Sequence, residues 1–199
     1  MTDTLPTVVG HAPEDVLHFW FEELDPKDHF DSSPELDARI AERFGTLVEA
    51  LEAAGYPHVW ENTARGALAL IIALDQFPRN IHRGEVGAFL QDAVALDVTM
   101  RLVGRGLDAE LTEAERHFAY MPLMHSEDAD VQDKSLEMFA KLGEERALHA
   151  RAHREVIKRF GRYPGRNAAL GRESTAEERT FLEDGGYGQI VREMQAEIG

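Results

Sequence analysis

The sequence predicts an all-α protein, because apolar residues recur at spacings of three and four positions along most of its 199 residues. Helix-start signals separate these stretches: proline at first-turn positions, and serine or threonine followed three residues later by glutamate. No segment alternates apolar and polar residues between turns as a half-buried β-strand does. We therefore expect about 8–10 helices, joined by short connections into antiparallel hairpins.

Three helices are predicted in the first part of the chain. Pro13 begins an amphipathic first helix. Ser33 caps a second helix that starts at Pro34, and its apolar residues are Leu36, Ile40, Phe44, Leu47 and Leu51. The third helix extends from about Glu61 to Gln76 and is apolar almost all round, so it should lie at the centre of the fold.

The fourth helix is predicted to follow Gly84, with apolar residues at Val86, Phe89, Leu90, Ala93, Leu96, Val98, Met100 and Leu102. Thr112 and Glu115 form a capping-box signature that opens a fifth helix, and Ser174 with Glu177 forms another near the C-terminus. Further helices are expected over two stretches between these signatures, 131–142 and 146–160.

Length and composition favour one soluble domain over residues 13–199, preceded by a flexible segment over residues 1–12. No apolar run approaches the roughly 20 residues that span a bilayer, and the first residues lack the pattern of a signal peptide. The chain has no cysteine, which excludes disulfides and thiolate ligands. These observations predict a cytoplasmic protein with no membrane partner and no cofactor.

The charge of the chain changes sign in one segment. The whole protein has a formal net charge of −16, which argues against nucleic acid as a partner because nucleic-acid binding needs an exposed basic surface. Residues 146–172 nevertheless contain seven Arg, one Lys and a single acid, Glu155. Either the protein's own carboxylates neutralise these cations, or an anionic small molecule or peptide binds to them.

The segment LDQFPRN contains the first candidate site. Asp75 lies near the end of the most apolar helix and needs a partner, because charges are not left unpaired in a core. Arg79, or an arginine of the basic segment, is the natural partner. The pair is either a structural latch that fixes a turn or a catalytic acid oriented by arginine. Asn80 follows Arg79, and the same Arg-Asn pair recurs at Arg166 and Asn167.

A second candidate is YMPLMHSE. Pro122 is expected to bend or break a helix, so that His125 and Glu127 follow in irregular backbone. His125 is a candidate acid or base, and a structural histidine is the alternative. His149 and His153 have the spacing of two metal ligands on a helix, but the surrounding arginines oppose a cation, so we expect no metal.

The strongest candidate is RFGRYPGRNAALGREST, where glycine and proline interrupt a series of arginines. Like charges spaced along a turn repel one another unless an anion lies among them, and glycine lets backbone N–H groups approach such an anion. The candidate binding residues are Arg159, Arg162, Tyr163, Arg166 and Asn167. The alternative is a salt-bridged hinge between the last helices. No nucleotide-binding loop, nucleophile elbow or calcium loop is present.

In combination, LDQFPRN, RFGRYPGRNAALGREST and two further segments resemble the bacterial domain-of-unknown-function family numbered 924. The resemblance includes FWF at Phe19–Phe21 and ERHFAYMPLMHSED at Glu115–Asp128, and it extends from about residue 15 to residue 188. It implies a compact helical fold of the tetratricopeptide-like superfamily, as a superhelix or a closed bundle. It implies no reaction and no catalytic residues.

Three hypotheses for function follow. In the first, a concave helical face binds a small anion or an acidic or C-terminal peptide, which two Arg-Asn pairs clamp: Arg79 with Asn80, and Arg166 with Asn167. In the second, an enzyme acts on an acidic substrate through His125, assisted by Glu127 or Asp75. In the third, the ion pairs are purely structural.

The first two hypotheses both require the three motifs LDQFPRN, YMPLMHSE and RFGRYPGRN to meet in space. An enclosed pocket would favour the enzyme, and an open groove would favour peptide binding. A separate hypothesis is a homodimer that packs through exposed aromatic residues near Phe19–Phe21.

Overall fold

The all-α prediction is confirmed. A computed structural model of the chain describes residues 5–30, 33–54 and 57–198, and their regular structure is helical apart from one isolated bridge between Val8 and His11. The α-helices are α1 (Pro13–His18), α2 (Pro34–Ala54), α3 (Ala64–Ile71), α4 (Phe77–Ile81), α5 (Asp92–Gly104), α6 (Glu113–His125), α7 (Ala129–Ala140), α8 (Glu144–Phe160), α9 (Ala176–Glu183) and α10 (Gly186–Ile198).

Short helical turns extend or connect these helices. A π-helical turn over Phe19–Glu23 continues α1, and a second one over Ile72–Gln76 joins α3 to α4. The 3₁₀ turns are Pro26–His29, His58–Asn62, Val86–Phe89, Leu107–Glu110 and Pro164–Arg166.

The helices cluster into two compact units. The first unit comprises Met1–Arg83 with Gly87–Ala119, and the second comprises Gly84–Val86 with Tyr120–Gly199, so the division falls inside α6. One domain over residues 13–199 and a flexible segment over residues 1–12 stay predictions. Residues 1–4 of that segment lie outside the described part of the chain.

Helix α3 forms the centre of the first unit. As predicted, it is buried almost all round, and α1 and α5 both pack against it. Its start differs from the prediction, because Glu61 lies in the preceding 3₁₀ turn and α3 begins at Ala64. The hydroxyl of Thr63 caps the helix and accepts a hydrogen bond from the backbone N–H of Gly66 at 3.1 Å.

The helix predicted after Gly84 also begins later than expected. Val86 lies in a 3₁₀ turn, Leu90 follows that turn, and α5 starts only at Asp92. The side chains of Val86 and Leu90 are 48% and 58% exposed. The prediction that Val86 and Leu90 belong to this α-helix is therefore wrong, because a 3₁₀ turn precedes the helix.

The aromatic residues near the start of the chain are part of the first unit's core. Phe19 is fully buried and Trp20 is 1% exposed, and Phe19 packs edge-on against Phe44 with ring centroids 5.0 Å apart. Phe19 and Trp20 therefore provide no exposed patch on which a second copy could pack. The homodimer stays a prediction.

The second unit has its own apolar core, in which α8 is central. Helices α7 and α10 pack against α8, and α9 packs against α10. The buried residues of this core are Ala152, Val156, Ile157, Tyr163, Phe181 and Ile190. Tyr163 belongs both to this core and to the candidate binding segment.

Of the two predicted capping boxes, one is confirmed and one is shifted. At the start of α6, the Glu115 N–H donates to the Thr112 hydroxyl at 3.2 Å, and the Thr112 N–H donates to the Glu115 carboxylate at 2.8 Å. Near the C-terminus the box is formed by Thr175 and Glu178, one residue after the predicted pair.

The sequence predicts a bend or a break at Pro122, and the break is wrong because helix α6 continues through this proline. The bend stays a prediction. His125 is the last residue of the helix, and Glu127 follows in a non-helical segment. Carbonyl groups at this helix end need other donors. The side-chain amide of Gln132 donates to the carbonyls of Met124 and Ser126 at 2.9 and 2.6 Å.

Candidate functional site

The basic segment, residues 146–172, forms most of α8 and the turn after it. Along α8, several of its cations contact carboxylates of the same unit: Arg151 with Glu144, Arg154 with Asp133, and Lys158 with Glu155. The protein's own acids therefore neutralise much of the positive charge on this helix.

The Glu127 carboxylate joins the end of α6 to the turn after α8. It accepts hydrogen bonds from both terminal nitrogens of Arg172, at 2.7 and 2.9 Å, and from the backbone N–H of Tyr163 at 2.7 Å. Burial opposes the ionisation of Glu127, but these hydrogen bonds and the charges of Arg172 and Arg166 outweigh it. The pKa of Glu127 therefore lies below its ordinary value of 4.5.

A second carboxylate, that of Glu178, contacts the same turn through Arg162. It accepts from Arg162 Nε and Nη2 at 2.6 and 2.8 Å, and from the backbone N–H of Thr175 at 2.7 Å. Its side chain is almost completely buried. The Arg162 hydrogen bond is the largest cause that holds the pKa of Glu178 at about 2.

The amide of Asn167 belongs to this structural arrangement. Its residue is 1% exposed, and its Nδ2 donates to the Ser174 hydroxyl at 3.1 Å and to Glu178 at 3.3 Å. Arg162 and Asn167, both candidate ligand-binding residues, are therefore in contact with the protein's own Glu178.

Tyr163 anchors the turn to the end of α6. Its hydroxyl donates to the Met124 carbonyl at 2.6 Å and accepts from Gln132 Nε2 at 2.8 Å. Burial raises the pKa of Tyr163 above its usual value, so the hydroxyl keeps its proton at neutral pH.

The two other candidate arginines of the segment lie against aromatic rings. The guanidinium carbon of Arg166 is 4.6 Å from the ring centroid of Tyr163, and Arg166 is half-buried. The guanidinium carbon of Arg159 is 5.2 Å from the ring centroid of Phe160 and 5.5 Å from that of Phe181. Such contacts stabilise the position of a guanidinium.

Next to Arg166 lies a group of imidazole and phenol rings that we call the His/Tyr cluster. Its members are His125, His149, His153, Tyr163 and Tyr187. The ring of His153 is 5.4 Å from Tyr163, 4.4 Å from Tyr187 and 6.4 Å from His125, measured between centroids. His149 Nδ1 is hydrogen-bonded to the Tyr187 hydroxyl at 2.6 Å. Polar ring atoms from α6, α8 and α10 are thus concentrated in one place.

The remaining candidate residues lie in the first unit. Asp75 is fully buried, and Arg79 Nη1 lies 3.1 Å from its Oδ1, while Arg79 Nη2 lies 2.9 Å from Asp92. Asn80 Nδ2 donates to the Gln76 carbonyl at 3.0 Å. These contacts have the geometry of the structural latch.

Two of the three candidate motifs lie in the same unit and touch each other. YMPLMHSE contacts RFGRYPGRN through Tyr163, which binds both the Met124 carbonyl and Glu127. LDQFPRN belongs to the other unit, where Arg79 contacts Asp75 and Asp92. The two Arg-Asn pairs are thus built into different units, each with intramolecular contacts of its own.

Sequence reasoning missed two contributors to the site, Gln132 and Tyr187. Gln132 is fully buried and lies on the apolar side of α7, where a polar residue without a charge partner signals a buried hydrogen-bond network. Tyr187 offered no comparable signal, because its contact with His149 joins positions 38 residues apart.

The described residues, 5–30, 33–54 and 57–198, contain no group of three or more histidine or acidic side chains arranged to hold a metal ion. His149 and His153 contact Tyr187 instead. No helix in this part of the chain combines the length and apolar character needed to cross a bilayer.

Comparison with known proteins gives two similarities. Residues 16–186 match the family model described as bacterial protein of unknown function (DUF924). The chain is also similar to the solved structure of a protein of unknown function from Agrobacterium tumefaciens. The two share 36% identity over 87% of this chain and 97% of that one, with a TM-score of 0.79. No curated protein matches.

Proposed function

Since the chain belongs to this family of bacterial proteins, whose description assigns no function, we propose a function from the geometry of the second unit. The unit binds a small anionic ligand, one that carries a carboxylate or phosphate group, beside Arg166. Neighbouring rings of the His/Tyr cluster supply further hydrogen-bonding groups, and the guanidinium of Arg166 lies against the ring of Tyr163.

The observation that carries this proposal is the convergence of two arginine side chains on Glu127. Arg172 contacts both oxygens of this carboxylate, and the charge of Arg166 acts on the same carboxylate from beside Tyr163. Arg162, in the same turn, is paired with Glu178. The positive potential of Arg166 and Arg172 therefore extends over one position beside Tyr163, and an anion is attracted to such a position.

The rigidity of the turn also supports a binding role. Tyr163 is fixed at both its backbone N–H and its hydroxyl, and Asn167 is fixed through its side-chain amide. A guanidinium that stacks on such an immobile ring loses little conformational entropy when a ligand binds. Arginine also presents parallel N–H groups that match the oxygens of carboxylate and phosphate.

Thermal unfolding in the presence of anions tests the proposal. Inorganic phosphate, citrate and an acidic peptide should be compared at constant ionic strength. Saturation at 100 times the dissociation constant stabilises a protein by about 2.7 kcal/mol, which is a shift of several degrees at this size. We expect a shift with at least one of the small anions and a smaller or absent shift with the peptide.

The matched variants are Arg166→Gln and Arg192→Gln. Both arginines lie in the second unit, but the side chain of Arg192 contacts Gln189 on α10, and Arg192 is not among the charges that shift the pKa of Glu127. Arg166→Gln should abolish the anion-dependent shift, whereas Arg192→Gln should retain it. Equal shifts in both variants, or no shift in the wild-type protein, would contradict the proposed site and favour purely structural ion pairs.

A second candidate function is acid–base catalysis on an anionic substrate bound at the same place. The supporting observation is the pair His125 and His153, whose rings lie 6.4 Å apart beside the arginine-rich turn. Glu127 is engaged by Arg172 and Tyr163, and Asp75 is buried in the first unit, so this role rests on the histidines. His125→Gln should then abolish turnover of a bound anion without abolishing its binding.

A further inference from the structure

We propose that the second unit contains another ligand site, a pocket between α8, α9 and α10 that binds a small basic amino acid. The pocket has a volume of about 300 Å³, at the lower end of the roughly 300–1,000 Å³ that small-molecule sites occupy. Its lining residues are Arg159, Glu177, Thr180, Phe181, Asp184, Gln189, Ile190 and Glu193. The proposal uses none of the residues placed at the Arg166 site.

The pocket has an apolar floor. Phe181 and Ile190 are 8% and 3% exposed, and both belong to the core of the second unit. Their side chains offer a surface on which a short chain of methylene groups can pack and lose its contact with water. A ligand with a purely polar structure would leave this surface unused.

Charges of both signs surround this floor. Glu177, Asp184 and Glu193 supply three carboxylates, and Arg159 supplies one guanidinium. Among the described residues, none of these carboxylates forms a salt bridge, although Glu193 accepts a hydrogen bond from Gln189 Nε2 at 2.7 Å. The pocket therefore has a formal charge of −2 and favours a ligand with a net positive charge.

The position of Arg159 restricts the class of cation. Its guanidinium rests against the rings of Phe160 and Phe181, and within the described residues it has no carboxylate partner at salt-bridge distance. A ligand with only positive groups would bring a cation towards this guanidinium. A ligand that also carries a carboxylate can offer that group to Arg159.

A basic amino acid combines the three required features. Its carboxylate matches Arg159, its two cationic groups match carboxylates among Glu177, Asp184 and Glu193, and its methylene stem matches the Phe181 and Ile190 floor. A neutral amino acid has only one cationic group, and a diamine has no carboxylate. The pocket should therefore bind lysine more tightly than either norleucine or cadaverine.

Isothermal titration of the full-length protein with these three compounds tests the ligand class. We expect saturable binding of lysine, with weaker binding of norleucine, which lacks the side-chain amine, and of cadaverine, which lacks the carboxylate. An absence of saturable heat with lysine at concentrations up to about 10 mM would overturn the proposal. Norleucine binding as tight as that of lysine would also overturn it.

Three variants with one matched control locate the site. Asp184→Asn and Glu193→Gln should each weaken lysine binding about two- to fivefold, the effect expected of a partly exposed ion pair. Arg159→Gln should weaken the binding of lysine but not that of cadaverine. Glu183→Gln changes an exposed acid of α9 that does not line the pocket, and it should have no effect.

Equal weakening by Glu183→Gln and Asp184→Asn would mean that only the general acidity of the protein attracts lysine, and the proposal would be wrong. The substituted acids and Arg159 are exposed, so circular dichroism should show unchanged folding. Arg166→Gln separates the two sites, because it should remove anion binding and leave lysine binding unchanged.

Discussion

At the scale of single residues, Glu127 connects two segments that are far apart in sequence. Its carboxylate binds Arg172, 45 residues away, and the backbone N–H of Tyr163, 36 residues away. Glu127 and Arg172 are both partly buried, with 27% and 23% of their side chains exposed. Removing one partner therefore leaves the other charge in an environment that water compensates only in part.

We expect Glu127→Gln to lower the free energy of unfolding by about 1–3 kcal/mol, because the substitution keeps the shape but weakens charge-assisted hydrogen bonds. Urea denaturation at neutral pH measures this change. Glu173→Gln is the matched control, since Glu173 is exposed in the same segment and its backbone carbonyl, which the substitution keeps, accepts a hydrogen bond from Arg162. Its effect should stay within about 0.5 kcal/mol.

A double-mutant cycle with Arg172→Gln determines whether the expected loss belongs to the ion pair. The double variant should lose less stability than the two single variants together, because each single change already breaks the pair. Additive losses would mean that Glu127 acts mainly through the Tyr163 backbone.

Local sequence identified Glu127 as a candidate but not its partner. A carboxylate near His125 suggested an oriented histidine, whereas the carboxylate oxygens accept from Arg172 and the Tyr163 N–H. With 21 basic and 37 acidic residues, the chain permits very many ion pairs. Helical spacing restricts only pairs three or four positions apart, so the fold decides the distant ones.

At the scale of elements, the end of α8 determines where the candidate binding turn begins. Gly161 terminates the helix with a φ of +67°, in the left-handed region, and its N–H donates to the Ile157 carbonyl at 2.7 Å. A residue with a Cβ is strained in this conformation. The chain can therefore leave α8 towards Tyr163 at low cost only with glycine at this position.

We expect Gly161→Ala to lower the free energy of unfolding by about 1–2 kcal/mol. Within the described part of the chain, no atom beyond the adjacent residues lies within 4 Å of the added Cβ, so the loss would come from the backbone conformation alone. Gly165→Ala is the control in the same turn. A Cβ added at Gly165 would have as much space as one added at Gly161, but the φ of Gly165 is not positive. It should be neutral or stabilising by up to about 1 kcal/mol, and equal losses in thermal or urea unfolding would contradict the argument.

The capping boxes indicate how far local patterns define an element. Thr112 with Glu115 is confirmed, because one arrangement alone satisfies the pattern there. In the sequence ESTAEE, both Ser174 with Glu177 and Thr175 with Glu178 satisfy it. Tertiary contacts favour the second pair, because Glu178 also binds Arg162 and the Ser174 hydroxyl accepts from Asn167.

At the scale of the whole molecule, acids of the protein itself pair with several cations of the basic segment. Twelve of the 21 lysine and arginine residues lie in the second unit, and Arg151, Arg154 and Lys158 of α8 contact acids on α7 or on α8 itself. Charge counting located this segment correctly, but it could not distinguish ligand neutralisation from internal neutralisation. That distinction depends on which carboxylates the fold brings within reach.

Internal neutralisation predicts that acid destabilises the protein. Hydrogen bonds from Arg162 hold the pKa of Glu178 at about 2, and the pKa of Glu127 also lies below 4.5 after its arginine contacts outweigh its burial. The unfolded chain therefore takes up protons first as the pH falls. The stabilisation is complete above about pH 5 and should be lost progressively towards about pH 2.

Urea denaturation between neutral pH and pH 2 measures this loss. Glu178→Gln removes one of the responsible groups, so its stability, although lower at neutral pH, should depend less steeply on pH in the acid range. The same slope in the variant and in the wild-type protein would mean that Glu178 titrates normally in the folded state.

The two buried tyrosines predict a second decline, at alkaline pH. Burial raises the pKa of both Tyr163 and Tyr187, so the folded protein holds their protons after the unfolded chain has lost them. Their contribution is complete below about pH 10 and is lost as the pH rises towards the folded-state values. Each such tyrosine adds up to about 1.4 kcal/mol per pH unit to the slope of stability against pH.

Tyr187→Phe isolates one of these two contributions. The substitution also removes the hydrogen bond to His149, so the variant should be less stable at all pH values at which this bond forms. Above about pH 10 its stability should nevertheless fall less steeply than that of the wild-type protein, because one proton fewer is released on unfolding. Equal slopes above pH 10 would contradict the raised pKa. Absorbance of tyrosinate in the folded protein provides an independent measurement, since Tyr187 should ionise later than the exposed tyrosine of a model peptide.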